Sequence, residues 1–238
     1  MAPDLRRWRT AAPTARSQRK REATADPTRD DAINPEWLRW VKRLQAIAQE
    51  GLTYTTDDYD VGRYEQIREI AAEILATHST GDFEQARRLL ELEVGPATPK
   101  VDVRAAVFRD GDGILLVKEP EDGGWSLPGG WADVGESAAE AAVREVREES
   151  GYRVRAVRLI SAYDRDRQGH PPIPYHVYKL VFLCEILDEP PSQAVEADEV
   201  GFFGEHDLPH LSLSRVTPSQ MGRLFAHRRR PDLPADFD

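Results

Sequence analysis

Apolar residues in the first half of the chain recur at helical spacing. Intervals of three and four residues predict three amphipathic helices before residue 95, each with one apolar stripe. The first helix is expected to use Asn34 as its N-cap and Pro35 as its first helical residue, because asparagine caps helix starts and proline fits the first turn. Gly51 is expected to end this helix, since glycine commonly follows a helix.

The other two predicted helices follow after short polar breaks. The second is expected to begin near Thr56 or Asp57, and the third to cover about Asp82 to Leu92. Three helices of this length bury too little apolar surface to be stable alone. We therefore expect the helical unit to pack on the rest of the chain or on a second subunit, and we predict a homodimer.

Beyond Lys100 the apolar residues alternate with other residues at a period of two. This pattern predicts a strand, a hairpin turn at Asp110 to Gly113 and a returning strand. An alanine-rich helix is expected after Gly135, with further strands on both sides of it in the sequence. The remaining elements expected are strands over 125–127, 153–163, 175–187 and 200–203 and a last helix from Thr217 to about His227. This order suits an α/β fold with a mixed sheet between helices.

These patterns divide the chain into five expected segments. The segments are a disordered basic leader over 1–33, a small all-α domain over 34–94, a linker over 95–100, an α/β domain over 101–230 and a C-terminal tail over 231–238.

Composition favours a water-soluble protein. The chain has 238 residues, of which 40% are hydrophobic and 31% are charged. It contains no run of the roughly 18 apolar residues that a membrane helix needs. The arginine-rich start has no apolar segment typical of a secretory signal, so we expect a cytoplasmic protein. Cys184 is the single cysteine, and its apolar surroundings predict a buried structural thiol.

The charge is unevenly distributed. The net charge is −10, but residues 1–29 carry eight basic and three acidic residues, a net of +5, which leaves −15 for the rest. An acidic body argues against broad nucleic-acid binding. Contact of the basic leader with RNA is the alternative to a solvated, disordered leader.

A glycine turn and a group of glutamates mark the candidate site. Gly129 and Gly130 allow the backbone to approach a ligand closely. Glu145, Glu148 and Glu149 follow on the alanine-rich helix at spacings that place them on one face. Like charges repel there, and a divalent cation would offset the repulsion, because hard cations prefer carboxylate oxygens. The alternative is a solvated face with ion pairs at four-residue spacing.

The complete pattern resembles the Nudix box. A glycine, five residues, a glutamate, seven residues, and Arg-Glu, an aliphatic residue, any residue, Glu-Glu, any residue and glycine run from Gly130 through Glu136 and Arg144 to Gly151. Tyr152 departs from the pattern, which has an aliphatic residue there. The resemblance implies an α/β/α sandwich and a hydrolase that uses Mg²⁺ or Mn²⁺.

The resemblance implies roles for individual residues. Glu149, Glu145 and Glu148 are expected as metal ligands, with the carbonyl near Gly130 as a further ligand. Family members differ in the general base, so Glu145 and Glu148 both remain candidates. Arg144 is a catalytic candidate that holds a carboxylate in place, or else it forms a surface ion pair.

Other candidates lie outside the box. Glu196 and Glu199 could supply a further acid, or could belong to a plain acidic loop. Arg104 is a candidate for a substrate phosphate. Trp131 and Tyr163 could stack on a nucleobase, although core packing is the ordinary role of such residues.

The chain resembles bacterial Nudix proteins that have a helical N-terminal domain. This group includes CDP-choline pyrophosphatases and ADP-ribose pyrophosphatases. The implied reaction is hydrolysis of a nucleoside diphosphate linked to a group X, giving a nucleoside monophosphate and phosphorylated X. Two alternatives remain: hydrolysis of RNA with the same metal site, and a nucleotide-sugar sensor that binds without cleavage.

Overall fold

The computed structural model describes residues 35–109, 113–188, 197 and 199–238. The leader predicted over 1–33 and the proposed cap Asn34 lie outside the described residues. The chain forms two compact units. One consists of the described residues up to Thr98 together with Pro171–His176, and the other of Pro99–His170 with Val177–Asp238.

The first unit contains three helices, as predicted. They are α1 (Glu36–Tyr54), α2 (Asp58–His78) and α3 (Phe83–Glu91). Asp57 caps α2 by accepting hydrogen bonds from two backbone N–H groups, and Asp82 forms a capping box with Gln85 at the start of α3. The apolar stripes supply the buried residues of this unit, which include Leu38, Val41, Ala48, Ala71, Leu75, Leu89 and Leu90.

The predicted end of α1 at Gly51 is wrong, because the helix continues to Tyr54. A Cβ at Gly51 would lie 2.3 Å from a ring carbon of Tyr64. The glycine therefore serves close packing of α1 against α2 rather than helix termination. At the other end, Pro35 occupies the N-cap position and α1 begins at Glu36, one residue later than predicted.

The second unit is built on a mixed sheet. Its described strands are β1 (Lys100–Arg109), β2 (Gly113–Lys118), β3 (Trp125–Ser126), β4 (Arg153–Asp164), β5 (Val177–Asp188), β6 (Val200–Phe203) and β7 (Asp236–Phe237). The order is β3-β2-β1-β5-β4-β7, with β6 also paired to β2. β1 and β5 are parallel neighbours at the centre, and β1 pairs with β2 in antiparallel orientation. Of the predicted hairpin turn, residues 110–112 lie outside the described part of the chain.

Helices cover both faces of this sheet, as expected for an α/β/α sandwich. On one face, α4 (Ala138–Ser150) packs through Val146 against Ala105 and Val107 of β1. On the other face, α5 (Pro218–Arg229) packs through Met221 against a cluster that includes Ala106. Successive residues of β1 thus point into two different cores, which explains why β1 is buried along most of its length.

The last residues add an edge strand that the periodicity did not predict. β7 pairs in parallel with β4 at Ser161 and Ala162. The Tyr163 hydroxyl donates a hydrogen bond to Asp236, at 3.3 Å. A two-residue strand is too short to show a period, so only the tertiary contacts identify it.

Two further expectations can be compared with the structure. Cys184 is buried, as predicted, and burial raises the pKa of its thiol to about 12. A helix with the length and hydrophobicity to span a membrane does not occur among the described residues.

Candidate active site

The glycine turn lies directly against β1. The carbonyl of Pro128 accepts a hydrogen bond from the N–H of Ala105 at 2.9 Å, and that of Gly130 accepts one from Val103 at 2.8 Å. Gly129 has a φ of +144°, and a Cβ there would lie 2.1 Å from the carbonyl oxygen of Val103. The turn therefore needs glycine at this position. The carbonyl of Gly130 already has a backbone partner, and its role as a metal ligand stays a prediction.

The helix that carries the glutamates is defined at both ends. Ser137 and Glu140 form a capping box at its start, and Gly151 ends it in the left-handed conformation with a φ of +76°. Ala142 and Val146 are buried against the sheet and fix the rotation of the helix. Glu145 and Glu149 consequently point towards the glycine turn.

Arg144 binds three carboxylates at once. Its guanidinium donates two hydrogen bonds to Glu136, at 2.7 and 3.0 Å, and one each to Glu145 and Glu148, both at 2.9 Å. Such charge-assisted bonds restrict the carboxylates as well as the guanidinium. The position of Arg144 is thus that of a holding group, the first of the two alternatives raised by the sequence. Its effect on catalysis stays a prediction.

Glu149 is separated from this group. One of its carboxylate oxygens accepts a hydrogen bond from the N–H of Gly129 at 2.9 Å. Burial raises the pKa of Glu149 to about 7, although Arg104 and the Gly129 N–H act in the opposite direction. Burial also raises the pKa of Glu145. Burial therefore favours the protonated forms of Glu145 and Glu149, and a bound cation would favour their ionised forms.

The pKa of Glu136 is shifted in the opposite direction. Its hydrogen bonds with Arg144 and with the backbone N–H of Asp133 lower its pKa to about 2. Glu136 therefore stays ionised near neutral pH and keeps the Arg144 guanidinium in place. This pairing gives Glu136 a structural part in the site in addition to its place in the sequence pattern.

The donor set fits a hard divalent cation. Glu145, Glu148 and Glu149 offer carboxylate oxygens on one helix, next to the backbone oxygens of the glycine turn. Within the described part of the chain, no three acidic, histidine or cysteine side chains are already gathered in metal-binding geometry. The reason is visible in the contacts, since Arg144 holds Glu145 and Glu148 while Gly129 holds Glu149. A cation would have to draw these carboxylates together.

Arg104 lies next to the glycine turn and is buried. It donates to Asp102 at 2.8 Å and to the carbonyl of Leu127 at 3.0 Å. The Asp102 carboxylate also accepts a hydrogen bond from Lys179 at 2.6 Å. Arg104 and Lys179 lower the pKa of Asp102 to about 2 despite its burial. The buried guanidinium of Arg104 is thus paired with Asp102, its neighbour on the same face of β1. A contact of Arg104 with a substrate phosphate stays a prediction.

Sequence reasoning missed two charged residues near the turn, Glu119 and Lys179. Glu119 is buried. Its Oε1 lies 3.9 Å from Arg104 Nη1, and its Oε2 forms an ion pair with Arg215 Nε at 2.8 Å. Lys179 is the neighbour of Asp102 in the parallel register of β1 and β5. Their positions depend on strand register, which the spacing of residues along the chain does not give. The one available signal for Lys179 was its place between Val177 and Val181, at alternate positions of β5 that are buried.

Of the two acids predicted outside the box, only Glu199 is among the described residues. Glu196 lies outside the described residues. Glu199 forms an ion pair with Lys118 and its side chain is 55% exposed. The backbone N–H of Ala197 donates to the carbonyl of Glu149 at 3.3 Å, so this segment reaches the end of α4. A role for either acid in the site stays a prediction.

The two aromatic candidates differ in accessibility. Trp131 forms an isolated bridge with Asp102 beside the turn, and it is 40% exposed. Tyr163 is 3% exposed, and its hydroxyl is bonded to Asp236. Trp131 therefore offers an open ring surface next to the site, whereas the ring of Tyr163 is enclosed.

A groove of about 710 Å³ adjoins the glutamates. It is lined by the outer face of α4, including Val143, Arg144 and Glu148, and by Ala156 of β4. This volume is in the range of small-molecule sites. The groove therefore offers room for part of a ligand beside Glu148.

Comparison with known proteins identifies similar chains for both units. Residues 35–90 match the family model described as a UDP-X-like, N-terminal oligomerisation domain, and residues 98–224 match the NUDIX domain. The chain is 44% identical to the YjhB protein of Bacillus subtilis (strain 168), whose assignment as an ADP-ribose pyrophosphatase is provisional. That match covers 87% of this chain and 99% of YjhB.

Two solved structures are also similar. A UDP-X diphosphatase shares 32% identity with a TM-score of 0.55, and the match covers 85% of this chain and 98% of the other. An ADP-ribose pyrophosphatase from Streptococcus suis 89-1591 shares 40% identity with a TM-score of 0.53, covering 59% of this chain and 100% of the other.

Proposed function

Because this chain belongs to the Nudix hydrolase family and is an ADP-ribose pyrophosphatase-like enzyme, we propose that it cleaves a nucleoside diphosphate linked to X. The proposed products are a nucleoside monophosphate and phosphorylated X. ADP-ribose is the first candidate substrate, since proteins similar over most of the chain carry that activity in their names. A CDP-choline-like diphosphate is the second candidate.

The observation that carries this proposal is the arrangement of carboxylates around the glycine turn. Glu145 and Glu149 lie beside Gly129 and Gly130, and Arg144 keeps Glu145 and Glu148 close together. A pyrophosphate repels an attacking nucleophile, so its hydrolysis requires positive charge next to the phosphate oxygens. A site rich in carboxylates meets this need by binding cations.

We assign the metal to Mg²⁺ or Mn²⁺, with Glu149, Glu145 and Glu148 as ligands. A cation held by these residues would supply positive charge beside the phosphate oxygens and would make a bound water molecule more acidic. Arg144 orients Glu145 and Glu148 by its hydrogen bonds, and one of these two glutamates accepts the proton of the attacking water. Arg104, buried behind the turn, provides a fixed positive charge for the phosphates.

The test of this function is product release from a panel of substrates. ADP-ribose, CDP-choline, sugar nucleotides and short RNA are incubated with Mg²⁺ or Mn²⁺ and either wild type or Glu149→Gln. We expect turnover of a diphosphate and a loss of about a hundredfold in kcat/KM in the variant, equivalent to about 2.7 kcal/mol of transition-state stabilisation. Binding of a nucleotide without cleavage would instead support a sensor, and preferential cleavage of RNA would support the RNA alternative.

We further propose that the first unit forms a homodimer through α1. Trp40, Ile47 and Tyr54 follow each other at intervals of seven residues and are 49, 50 and 69% exposed. Large apolar residues on one exposed helix face are typical of an interface. The match to an oligomerisation domain supports this assignment.

The dimer is tested by placing a charge in this face. Ile47→Glu is expected to yield a monomer in light scattering at micromolar concentration, whereas wild type yields a dimer. Leu187→Glu is the matched control, because Leu187 is similarly exposed, at 54%, but lies on β5. A monomeric wild type, or dissociation by both substitutions alike, would contradict an interface on α1.

A further inference from the structure

A series of buried polar contacts leads from β5 to the glycine turn. Lys179, Asp102 and Arg104 are 1%, 8% and 5% exposed, and we call these three residues the buried triad. Lys179 Nζ lies 2.6 Å from Asp102 Oδ2, and Arg104 Nε lies 2.8 Å from Asp102 Oδ1. Arg104 Nη1 in turn donates to the carbonyl of Leu127 at 3.0 Å. Leu127 directly follows β3 and lies two residues before Gly129, so the series ends in the glycine turn.

The charges of the buried triad are matched to one another. Burying a charged group costs free energy unless it is paired. Burial lowers the pKa of Lys179 to about 8, while the Asp102 carboxylate acts in the opposite direction, so the ammonium group is charged at neutral pH. Arg104 and Lys179 keep Asp102 ionised despite its burial. The triad is thus a fixed arrangement of paired charges, suited to holding its neighbours in place.

Lys179 determines how Arg104 binds Asp102. Asp102 Oδ2 lies 2.6 Å from Lys179 Nζ but 3.4 Å from Arg104 Nη2. Arg104 therefore holds Asp102 mainly through Nε, although a guanidinium and a carboxylate favour two parallel hydrogen bonds. Its Nη1 is directed to the carbonyl of Leu127. Without Lys179, we expect the carboxylate to form both bonds with Arg104, which draws the guanidinium away from the Leu127 carbonyl.

Gly129 is in contact with both Arg104 and Glu149. The N–H of Gly129 donates to a carboxylate oxygen of Glu149 at 2.9 Å. A Cβ on Gly129 would lie 2.8 Å from Arg104 Cα and 2.9 Å from its Cδ, so the arginine packs directly against the backbone of the turn. A close-packed interior transmits a displacement from one group to the next. The direction of the Gly129 N–H, and with it the position of the Glu149 carboxylate, therefore depends on where Arg104 is held.

We propose that Lys179 and Asp102 are positioning residues for the candidate metal site. They hold Arg104 against the glycine turn, and the turn holds the Glu149 carboxylate where a divalent cation can bind it. The inference rests on the proposed function, in which Glu149 is a metal ligand. Lys179 and Asp102 act through these contacts and touch neither the cation nor the substrate.

The first measurement is binding of Mn²⁺, which requires no turnover of substrate. The electron paramagnetic resonance signal of free Mn²⁺ is followed as the full chain is added. Lys179→Met removes the ammonium group, keeps an unbranched side chain and leaves Asp102 paired with Arg104. We expect this variant to raise the dissociation constant for Mn²⁺ by about tenfold, as loss of groups that orient metal ligands commonly does.

A double-mutant cycle tests whether the effect passes through Arg104. Arg104→Lys keeps the positive charge but loses the planar fork that joins Asp102 to the Leu127 carbonyl. On its own it should also raise the dissociation constant for Mn²⁺ by about tenfold. The double variant, Lys179→Met with Arg104→Lys, should bind Mn²⁺ within about twofold of the weaker single variant, because both substitutions disturb the same contact. Effects that multiply in the double variant would show that the two residues act separately and would overturn the inference.

Thr217→Ala is the control for a general loss of stability. Thr217 caps α5, so its removal lowers stability but should leave the dissociation constant for Mn²⁺ within about twofold of wild type. A folded Lys179→Met that binds Mn²⁺ like wild type, or an equal loss in Thr217→Ala, would overturn the inference. If Lys179→Met does not fold, Arg104→Lys decides, because wild-type affinity in that variant overturns the inference as well.

Failure of the proposed function has a different signature. In that case Mn²⁺ binds in a manner that depends on Glu149, but no diphosphate is cleaved, and the comparison of Mn²⁺ affinities still decides the role of Lys179. If Glu149→Gln binds Mn²⁺ as tightly as wild type, the metal assignment and this inference are both wrong.

Discussion

Gly130→Ala should separate activity from stability. The backbone of Gly130 has no positive φ, so alanine can adopt its conformation. A Cβ there would lie 2.9 Å from Glu145 Oε1 and 3.2 Å from its Cδ. Both atoms belong to the end of a flexible side chain, so the carboxylate can yield while the fold remains intact.

The size of the effect follows from these distances. An ordinary carbon–oxygen contact is about 3.4 Å, so the Glu145 carboxylate must move by about 0.5 Å, which is the tolerance of a catalytic arrangement. The same oxygen accepts a hydrogen bond from Arg144 at 2.9 Å, and that bond must also adjust. We expect kcat/KM to fall by about 10- to 100-fold, or about 1.4 to 2.7 kcal/mol. The free energy of unfolding should fall by less than about 1 kcal/mol.

The assay pairs steady-state kinetics on ADP-ribose with urea unfolding. Gly123→Ala is the control, because a Cβ at Gly123 has no heavy atom within 4 Å but its φ is +68°. That variant should lose about 1 to 2 kcal/mol of stability and keep kcat/KM within about twofold. If Gly130→Ala retains full activity, or loses stability in proportion to activity, the reasoning about Glu145 is wrong.

Three other predictions concern stability and can be checked by denaturant unfolding. Gly51→Ala should lower the free energy of unfolding of the first unit, because its Cβ would lie 2.3 Å from the Tyr64 ring. Gly62→Ala in α2 is the control: its Cβ would have no heavy atom within 4 Å, so it should raise the free energy of unfolding by about 0.5 to 1 kcal/mol. Equal effects of the two substitutions would contradict the close packing at Gly51. Thr217→Ala should cost about 1 kcal/mol by removing the capping box of α5, and an unchanged midpoint would refute this. The pKa of His170 is about 3 when folded and near 6.5 when unfolded, so the unfolded chain takes up the proton first and stability falls as pH decreases below 6.5. His170→Asn lacks this loss, so the stability gap between wild type and variant should shift by about 2 kcal/mol between pH 7 and pH 5, and a constant gap would contradict burial of a neutral ring.

The parts of the site that depend on local sequence could be predicted. Glu145, Glu148 and Glu149 share a helix face because helical spacing alone fixes their relation. The starts of α2 and α5 followed from Asp57 and Thr217, whose side chains cap the next turn. In each case the interacting groups lie within a few residues of one another, so helix propensity and residue spacing are enough to predict the contact.

The parts that depend on strand register could not be predicted. Lys179 meets Asp102 only because β1 and β5 pair in one particular register, and no local pattern specifies that register. His170 lies between the strands predicted over 153–163 and 175–187, where no periodic pattern indicates burial, and its ring contacts the carbonyl of Leu213, 43 residues away. Gly51 was misread for a related reason, since the ring that requires a glycine there belongs to another helix.

The parallel pairing of β1 with β5 also has a consequence for how the protein folds. Asp102 and Lys179 are neighbours in the sheet but 77 residues apart in sequence, so the centre of the second unit cannot form until a long loop has closed. The first unit has helices joined by short connections, and such local contacts form much faster. In refolding, the helices of the first unit should therefore be complete while the central strands of the sheet are still separate.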